Sequence, residues 1–461
     1  MTETGADRVF DPGSIFRFGE EILSGDPIGW PGYREQIARA RAATGLSQAV
    51  SVGTARVGGT QCVFVLFDFA FAGGSLGQAE GRRISLAFEH AVRNRLPVLS
   101  IVASGGARMQ EGTAALTQMQ RIAACVADAR SAGIPQIAVA SDPTTGGVWA
   151  SLVSAADVIV AMPGAAVSFA GRRTLVEGAN GAGEEFHSEG KWEHGFVDLI
   201  SEEPALASDL ARLLILLSPQ TRGNGVVPAL LPNRPVVTDG VTDGAARTRG
   251  GPGSGWDQVR RARAPGRPHA HRYLAEYFDS IFEIRGDRSG GVDEGIRCGF
   301  GRRGQRTVAF VAQTGVPTTP AGFRTAARLL ALAERFGLAV LTLVDTPGAM
   351  AGAAAEAEGV GTAIAELLVA VAQATVPITS VVIGEGGSGG AVALLAPGRT
   401  WMAPDSFLAV TAPELAAAIL KRSPQDVPEI SDLLRLAPED QQNLGVARTL
   451  PARRTRRTEA S

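Results

Sequence analysis

The sequence predicts an α/β protein made of two tandem domains, and three observations support this fold class. The chain has 461 residues, a length that suits two to four domains. Short β-rich runs alternate with helical stretches in two regions, which a segment rich in Gly, Arg, Thr and Pro separates. Glycine supplies 57 residues, about 12% against a usual level of about 7%, so many turns or ligand-binding loops are expected.

The first region, from about residue 61 to 170, predicts a repeated strand-helix unit. A helix is expected over residues 81–95, where Ile84, Phe88 and Val92 are apolar at a spacing of four. A second, long helix is expected to end near Gly133, since glycine is typical of a helix stop. The strands are expected at residues 62–69, 97–103, 134–140, 155–161 and 166–169.

The second region repeats this plan. Strands are expected at residues 307–312, 339–344 and 378–383, and helices at 320–336 and 358–374. The expected domains are therefore residues 1–204 and 256–461, with a Gly-, Arg- and Pro-rich linker over 205–255.

Charge and cysteine content exclude several classes of function. A formal charge of -2 gives no field that would hold a nucleic acid or an anionic membrane. The N-terminus lacks the apolar core of a signal peptide and no apolar run approaches eighteen residues, so a soluble, cytoplasmic protein is expected. Cys62, Cys125 and Cys298 lie far apart, which predicts neither a disulfide framework nor a metal site.

Two Gly-rich segments, residues 104–108 and 384–391, each follow a predicted strand and are expected to open a helix at matching positions of the two halves. Free amides at such a turn point outward with the helix dipole behind them, so they hold a negative oxygen well. The plainer interpretation is a tight turn that only glycine fits.

The second segment also fits two enzyme motifs. Gly384, Gly386 and Gly389 match the GxGxxG dinucleotide fingerprint, with Asp405 about twenty residues on. A Rossmann domain normally begins with that unit, whereas several elements precede it here. The G-x-S-x-G nucleophile elbow is matched at Ser388, but all five histidines lie upstream of it, in the wrong order for a hydrolase triad.

Longer strings carry a resemblance. SGGARMQEG at residues 104–112, DPTTGG at 142–147, SFAG at 168–171, DTPGA at 345–349 and GEGGSGGA at 384–391 resemble the carboxyltransferase component of acetyl-CoA carboxylase, in the crotonase superfamily. Residues 26–200 resemble the bacterial β subunit and residues 255–450 the α subunit. The resemblance implies two crotonase-like (ClpP/crotonase) ββα-spiral domains in tandem, as in a fusion of the two subunits.

The resemblance also implies the reaction. Carboxybiotin on a carrier protein loses CO2, the biotin oxyanion takes the α-proton of acetyl-CoA or a short acyl-CoA, and the enolate captures CO2. Negative charge then develops on two oxygens, which explains two amide sites. Gly105 and Gly106 are expected to hold the thioester oxygen, and Gly389, Gly390 and Ala391 the biotin oxygen. Further cofactor contacts are expected from Gly386, Gly387, Ser388, Gly146, Gly147 and Arg173.

Arg108 is open to two interpretations, a structural ion pair or a contact with CoA phosphates. Some positions depart from the family pattern: no zinc ribbon precedes the first domain, about a dozen residues are missing near 315–320, and Met350-Ala351 and Glu358 replace Tyr-Pro and Arg. These changes leave substrate scope and full activity open.

The partners implied by the resemblance are separate chains. Neither Lys191 nor Lys421, the two lysines of the chain, lies in a Met-Lys-Met biotinylation setting. A separate biotin carboxyl carrier protein and biotin carboxylase are therefore expected. A homodimer or higher homo-oligomer is also expected, with the β-like domain of one protomer facing the α-like domain of another. The competing hypotheses are a CoA-thioester hydrolase or decarboxylase on the same scaffold, and a non-catalytic assembly subunit.

Overall fold

The structure is a computed structural model that describes residues 8–169, 183–218, 221 and 254–450. The described residues fall into two compact units. Unit 1 lies within Met1–Arg222 and also includes Ile284–Gly291, and unit 2 lies within Gly223–Glu283 and Val292–Ser461. Each unit is built on one eight-stranded sheet.

The strands are β1 Phe16–Phe18, β2 Val50–Val57, β3 Thr60–Phe67, β4 Val98–Ser104, β5 Gln136–Thr145, β6 Val158–Ala161, β7 Val167–Ser168, β8 Leu199–Ile200, β9 Ser280–Ile284, β10 Ile296–Arg303, β11 Arg306–Gln313, β12 Val340–Thr346, β13 Ile378–Gly387, β14 Thr400–Met402, β15 Phe407–Ala409 and β16 Arg448–Thr449.

The helices are α1 Tyr33–Thr44, α2 Gln78–Asn94, α3 Thr113–Leu116, α4 Gln118–Ser131, α5 Gly146–Val148, α6 Ser188–Glu193, α7 Glu203–Leu217, α8 Gly255–Ala262, α9 Ala270–Tyr277, α10 Pro320–Phe336, α11 Ala353–Ala357, α12 Val360–Gln373, α13 Ser388–Val392, α14 Pro413–Ile419, α15 Val427–Leu433 and α16 Pro438–Asn443. Short 3-10 turns include Met109–Glu111, and a π-helical turn follows at Trp149–Val153.

The two sheets have the same strand order. Unit 1 runs β1-β2-β3-β4-β5-β6-β8 with β7 paired to β5, and unit 2 runs β16-β14-β13-β12-β11-β10-β9 with β15 paired to β13. In each sheet an antiparallel hairpin, β2–β3 or β10–β11, leads into parallel strands. By position, β3 matches β11, β4 matches β12 and β5 matches β13.

Apolar side chains on the sheet faces explain why the helices pack where they do. In unit 1, Ile84 of α2 and Val126 of α4 share one buried cluster with Val65 and Ala138 of the sheet. In unit 2, Leu274 of α9 packs into a cluster with residues of β11, β12 and β13. Strands buried on both faces are typical of such parallel α/β sheets.

The predicted elements are confirmed in type, and α10 has the predicted bounds. Strand β13 is longer than predicted because its Gly-rich end, Glu385 to Gly387, pairs with β15. Helix α7 occupies Glu203–Leu217, a range that the sequence assigned mostly to the linker. Residues 222–253, the larger part of that linker, lie outside the described residues.

In the part of the chain that the structure describes, no helix is long and apolar enough to cross a membrane. Over the same residues, no group of three or more His, Cys, Asp or Glu side chains is arranged to hold a metal ion. Burial raises the pKa of the Cys62 thiol to about 12.

Candidate active site

Each Gly-rich segment lies at the carboxyl end of a strand in its own sheet, but the two segments do not occupy matching positions. Gly105 and Gly106 follow β4, whereas Gly389 and Gly390 follow β13, which matches β5 rather than β4. The prediction that the two segments match is therefore wrong. The prediction that each opens a helix holds for α13, but Gly105 leads into a loop and then the 3-10 turn Met109–Glu111.

Strand register gives the correct match. Ser104 pairs with Thr144 across β4 and β5, and Thr346 pairs with Gly386 across β12 and β13. The counterpart of Gly106 is then Gly348, and the counterpart of Gly147 is Gly389. Each unit thus has one corner made of two segments, a loop after one strand and a helix start after the next. We call them corner 1, residues 104–108 with 145–148, and corner 2, residues 346–350 with 387–391.

In corner 1 the predicted donor amides are already hydrogen-bonded within the chain. The Gly105 N–H donates to the Gly73 carbonyl (2.9 Å), and the Gly106 N–H donates to the Ser104 hydroxyl (3.1 Å). Ala107 pairs with Leu76 in a short parallel bridge. The two hydrogen bonds of this bridge flank Ala107: Leu76 N donates to Gly106 O, and Arg108 N donates to Leu76 O, both at 2.8 Å. The half-buried Ala107 keeps its own N–H unbonded among the described residues.

The other side of corner 1 is the start of α5, where the predicted residues Gly146 and Gly147 lie. A Cβ on Gly146 would be 3.2 Å from the Gly106 Cα, and Gly146 has a φ of +65°. The two backbones therefore meet at a distance that favours glycine. The first-turn amide of Gly147 has no intrahelical acceptor. Arg173, predicted as a further contact, lies outside the described residues.

Arg108 is part of a buried ion cluster beneath corner 1. Its side chain is 2% exposed, so the structural interpretation is supported and direct contact with a phosphate is not. Burial raises the pKa of the Tyr33 phenol to about 12. The Arg108 guanidinium donates to Glu80 (2.7 Å), Glu111 (3.3 Å), Tyr33 (3.3 Å), Ser24 (3.0 Å) and both the hydroxyl and carbonyl of Ser75.

Corner 2 repeats the backbone pattern of corner 1. The Gly348 N–H donates to the Thr346 hydroxyl (3.1 Å), as Gly106 does to Ser104. Thr318 N donates to Gly348 O (3.1 Å) and Met350 N donates to Thr318 O (2.8 Å). Ala349 lies between these bonds, half-buried, and no described residue accepts its N–H.

The helix start in corner 2 is α13, which begins at Ser388. Helix geometry leaves the Gly389 and Gly390 amides without intrahelical acceptors, whereas Ala391 N–H is the first that reaches back, to the Gly387 carbonyl. A Cβ on Gly390 would be 2.5 Å from the Ala349 nitrogen, so this side chain must be hydrogen. Of the three predicted donors, Gly389 and Gly390 are thus available and Ala391 is engaged.

Gly386 and Gly387, predicted as cofactor contacts, are buried residues of β13. A Cβ on Gly387 would be 2.0 Å from the Pro347 carbonyl oxygen, and one on Gly386 would be 2.8 Å from the Phe407 carbonyl oxygen. Close backbone packing therefore accounts for glycine at both positions. Beside α13 lies a cleft of about 410 Å³ with both polar and apolar lining, formed by Ser388, Gly389, Val392, Leu408, Ala409, Val410, Leu434 and Gln441.

Ser388 has the backbone of a nucleophile elbow but lacks its partners. Its φ is +54° at a strand-to-helix turn, as in such elbows. None of the described histidines hydrogen-bonds to it. His269 instead contacts the buried Asp345 (Nδ1 to Oδ2, 3.3 Å), which also pairs with Arg267 (2.6 Å). The Rossmann hypothesis fails as well, since the strand carrying GxGxxG follows β10, β11 and β12 in its sheet.

The comparisons with solved structures agree with this architecture. The transcarboxylase 12S structure superposes with a TM-score of 0.78 over 97% of this chain and 86% of that chain, at 20% identity. A single-chain long-chain acyl-CoA carboxylase gives a TM-score of 0.75 over 98% of this chain and 45% of that chain, again at 20% identity. The chain therefore has the crotonase-like carboxyltransferase fold, as predicted.

Sequence relatives define the family more narrowly. The family described as "Acetyl co-enzyme A carboxylase carboxyltransferase-like" matches residues 253–450. The acetyl-coenzyme A carboxylase carboxyl transferase subunits beta/alpha of Salinispora arenicola are 39% identical over 95% of this chain and 80% of the relative. A probable biotin-dependent acyl-coenzyme A carboxylase beta3 subunit of Mycobacterium bovis is 32% identical over 96% of this chain and 87% of the relative.

This chain belongs to the family of acetyl-CoA carboxylase carboxyl transferase subunits beta/alpha. It is a transferase of the biotin-dependent acyl-CoA carboxyltransferase class. The loop amides without a described acceptor that sequence reasoning missed are those of Ala107 and Ala349. The DTPGA string at 345–349 was part of the resemblance, and its position after a strand was the available signal.

Proposed function

We propose that this chain transfers the carboxyl group of carboxybiotin to acetyl-CoA or another short acyl-CoA, giving malonyl-CoA from acetyl-CoA. The observation that carries the proposal is the pair of matched corners. Each offers a loop amide without a described acceptor, Ala107 or Ala349, together with first-turn amides after the next strand, Gly147 or Gly389 and Gly390.

Such amides suit a reaction in which negative charge develops on oxygen. Carboxybiotin supplies the carboxyl group and, once it has lost that group, a base for the acyl-CoA α-proton. In corner 1, the Ala107 and Gly147 amides donate to the thioester oxygen. In corner 2, the Ala349, Gly389 and Gly390 amides donate to the biotin ureido oxygen. One amide aimed at such an oxygen contributes about 3 to 4 kcal/mol.

The glycines first predicted for the thioester oxygen have a different part in this proposal. Because the Gly105 and Gly106 amides donate to Gly73 and Ser104, these two residues shape the turn that presents Ala107. Gly106 has a φ of +102°, which strongly favours glycine. Exposed Gly105 leaves the approach to the corner free of a side chain.

The biotin carrier and the biotin carboxylase are separate chains in this proposal. Lys191 packs with its ammonium 5.6 Å from the centre of the Phe196 ring, and burial lowers its pKa. Lys421 is followed by Arg and preceded by Leu, unlike a biotinylation site. The active assembly is a homodimer or higher homo-oligomer, and an active monomer in gel filtration with light scattering would contradict this part.

The test is reconstitution of the forward reaction. Purified chain is mixed with biotin carboxylase, biotinylated carrier, ATP, bicarbonate and one of a series of short acyl-CoAs, and carboxylated product is measured. Malonyl-CoA from acetyl-CoA is the expected product. Failure with every short acyl-CoA, while the carrier is shown to be carboxylated, would contradict the proposal and favour a non-catalytic assembly subunit.

One observation favours a second candidate, a CoA-thioester hydrolase. Ser388 has the positive φ of a nucleophile elbow, with Gly386 and Gly390 tightly packed on either side. A hydrolase would release free CoA from an acyl-CoA without biotin. The absence of a hydrogen bond between Ser388 and any described histidine makes this the weaker candidate.

A further inference from the structure

Gln313, the last residue of β11, bonds to both segments of corner 2. Its side chain is fully buried. The Nε2 amide donates to the Gly390 carbonyl of α13 (3.0 Å) and to the Thr318 hydroxyl (3.3 Å). Thr318 in turn holds the loop segment through its backbone bonds to Gly348 and Met350. One side chain thus connects the helix that carries the Gly390 amide with the loop that carries the Ala349 amide.

The orientation of this amide is determined by its partners. The Gly390 carbonyl only accepts hydrogen bonds, so the nitrogen of Gln313 must face it. The Oε1 atom then points elsewhere, and no described residue donates to it. An unpaired buried amide oxygen lowers the stability of the fold. Stability alone therefore does not explain why a glutamine occupies this position.

Helix α13 needs an external anchor. It has five residues, and so short a helix has little stability of its own. In a longer helix the Gly390 carbonyl would accept from Leu394 N, but that nitrogen donates to Ala391 O (3.1 Å). The Gln313 amide supplies the missing donor and so fixes the direction in which the first-turn amides point.

We infer that Gln313 is a positioning residue for the oxyanion-binding amides of corner 2. The inference rests on the proposed function, because it assigns these amides to the biotin oxygen. In corner 1 a different side chain bonds the two segments, because the Thr145 hydroxyl donates to the Ser104 carbonyl (3.2 Å). The register of β3 with β4 makes Phe67 the counterpart of Gln313, and Phe67 is a buried apolar side chain without hydrogen-bonding atoms.

The variant Gln313→Met removes the donor and the unpaired oxygen while keeping the length of the side chain. Gln136→Met is the matched control, because Gln136 is also buried and its Nε2 donates to one backbone carbonyl, that of Val126 (3.1 Å), at the start of β5. The measurements are kcat, KM for acyl-CoA and the melting temperature of each variant.

We expect Gln313→Met to lower kcat by about 10- to 100-fold, by analogy with residues that orient metal ligands, and to leave KM for acyl-CoA unchanged. Gln136→Met keeps the wild-type kcat. A Gln313→Met enzyme whose kcat lies within about twofold of wild type would overturn the inference, as would an equal loss in both variants.

If Gln313→Met does not fold, Gln313→Asn replaces it, since the shorter amide cannot reach the Gly390 carbonyl. It is expected to show the same loss of kcat, and wild-type kcat would overturn the inference. If the wild-type chain transfers no carboxyl group at all, the proposed function fails instead. In that case, amide hydrogen exchange tests the positioning role of Gln313. Faster exchange at Gly389 to Leu394 in the variant than in the wild type supports this role, and unchanged exchange overturns it.

Discussion

The two units carry the same backbone corner on matching pairs of strands, β4 with β5 and β12 with β13. Different side chains support the two corners. Both corners use a hydroxyl, Ser104 or Thr346, that accepts from the glycine two residues on at 3.1 Å. Both then present an alanine, Ala107 or Ala349, from a short parallel bridge. The corners thus share their main-chain path and this hydroxyl acceptor, and the proposed chemistry takes place at main-chain amides.

The supports beneath the corners differ. Corner 1 rests on the buried Arg108 cluster, whereas corner 2 rests on Gln313 and lies near the Arg267–Asp345 pair. The contact between segments also differs, being Gly106 with Gly146 in corner 1 and Ala349 with Gly390 in corner 2. Main-chain donors do not depend on side-chain identity, so different side chains can support them. Substitutions at matched positions therefore separate the role of the shared backbone turn from the role of the side chains that support each corner.

The largest effect is expected from Arg108→Met, which breaks the support of corner 1. Removing the guanidinium leaves Glu80 and Glu111 as buried carboxylates without their cation, and such a loss costs about 3 to 5 kcal/mol. The midpoint of urea unfolding, read by a probe in unit 1, measures it. Arg93→Met, also in unit 1, is the control, because its ion pair with Glu89 is exposed and such pairs contribute little to stability. Equal midpoints for the two variants would contradict the account.

Gly390→Ala breaks the contact between the two segments of corner 2. The new Cβ would lie 2.5 Å from the Ala349 nitrogen, so the segments must separate. We expect kcat to fall by about 100- to 1,000-fold, the cost of losing one oxyanion donor. Gly361→Ala in α12 is the control, since nothing lies within 4 Å of its added Cβ. A Gly390→Ala enzyme as active as the control would remove corner 2 from the mechanism.

Ser104→Ala and Thr346→Val test whether the corners serve different substrates. Each leaves one glycine N–H without its acceptor and also removes a hydroxyl donor, from Ser104 to the Gly74 carbonyl or from Thr346 to the Val316 and Gly348 carbonyls. One turn is loosened in each case, and we expect activity to fall by at least about tenfold. Ser104→Ala should change the kinetics toward acyl-CoA, and Thr346→Val those toward the biotin substrate. Steady-state constants measured with each substrate varied in turn decide this, and identical profiles would contradict the division of labour.

The smallest effect is expected from Ser388→Ala. The Ser388 hydroxyl makes no hydrogen bond to a described residue, and alanine meets the same backbone strain at a φ of +54°. We expect kcat for carboxyl transfer to change by at most about threefold, since no hydrogen bond is lost. A thousandfold loss would instead identify Ser388 as a nucleophile.

Much of the fold could be predicted from the sequence, because alternating β-rich and helical runs determine a parallel α/β sheet. Helix α10 is an example, since Thr319 accepts from Gly322 N at its start and Gly337 takes the left-handed conformation at its end. The site could be predicted only in part. Counting glycines paired residues 105–106 with 389–390, whereas strand register pairs Gly106 with Gly348.

The remaining site features depend on tertiary contacts. Whether an amide is free depends on distant acceptors such as the Gly73 carbonyl, which removes Gly105 as a donor. The sequence did not single out Gln313, which lies just before the shortened loop near 315–320. Its bonds to Thr318 and Gly390 require the folded sheet, so no sequence pattern indicated them.

We propose that the two corners stabilise oxygens of two substrates in one transfer reaction. The most direct measurement is the reverse reaction, in which the chain alone is given malonyl-CoA with and without free biotin. We expect conversion to acetyl-CoA that requires biotin and leaves the thioester intact. Release of free CoA without biotin, or no conversion under either condition, would contradict it.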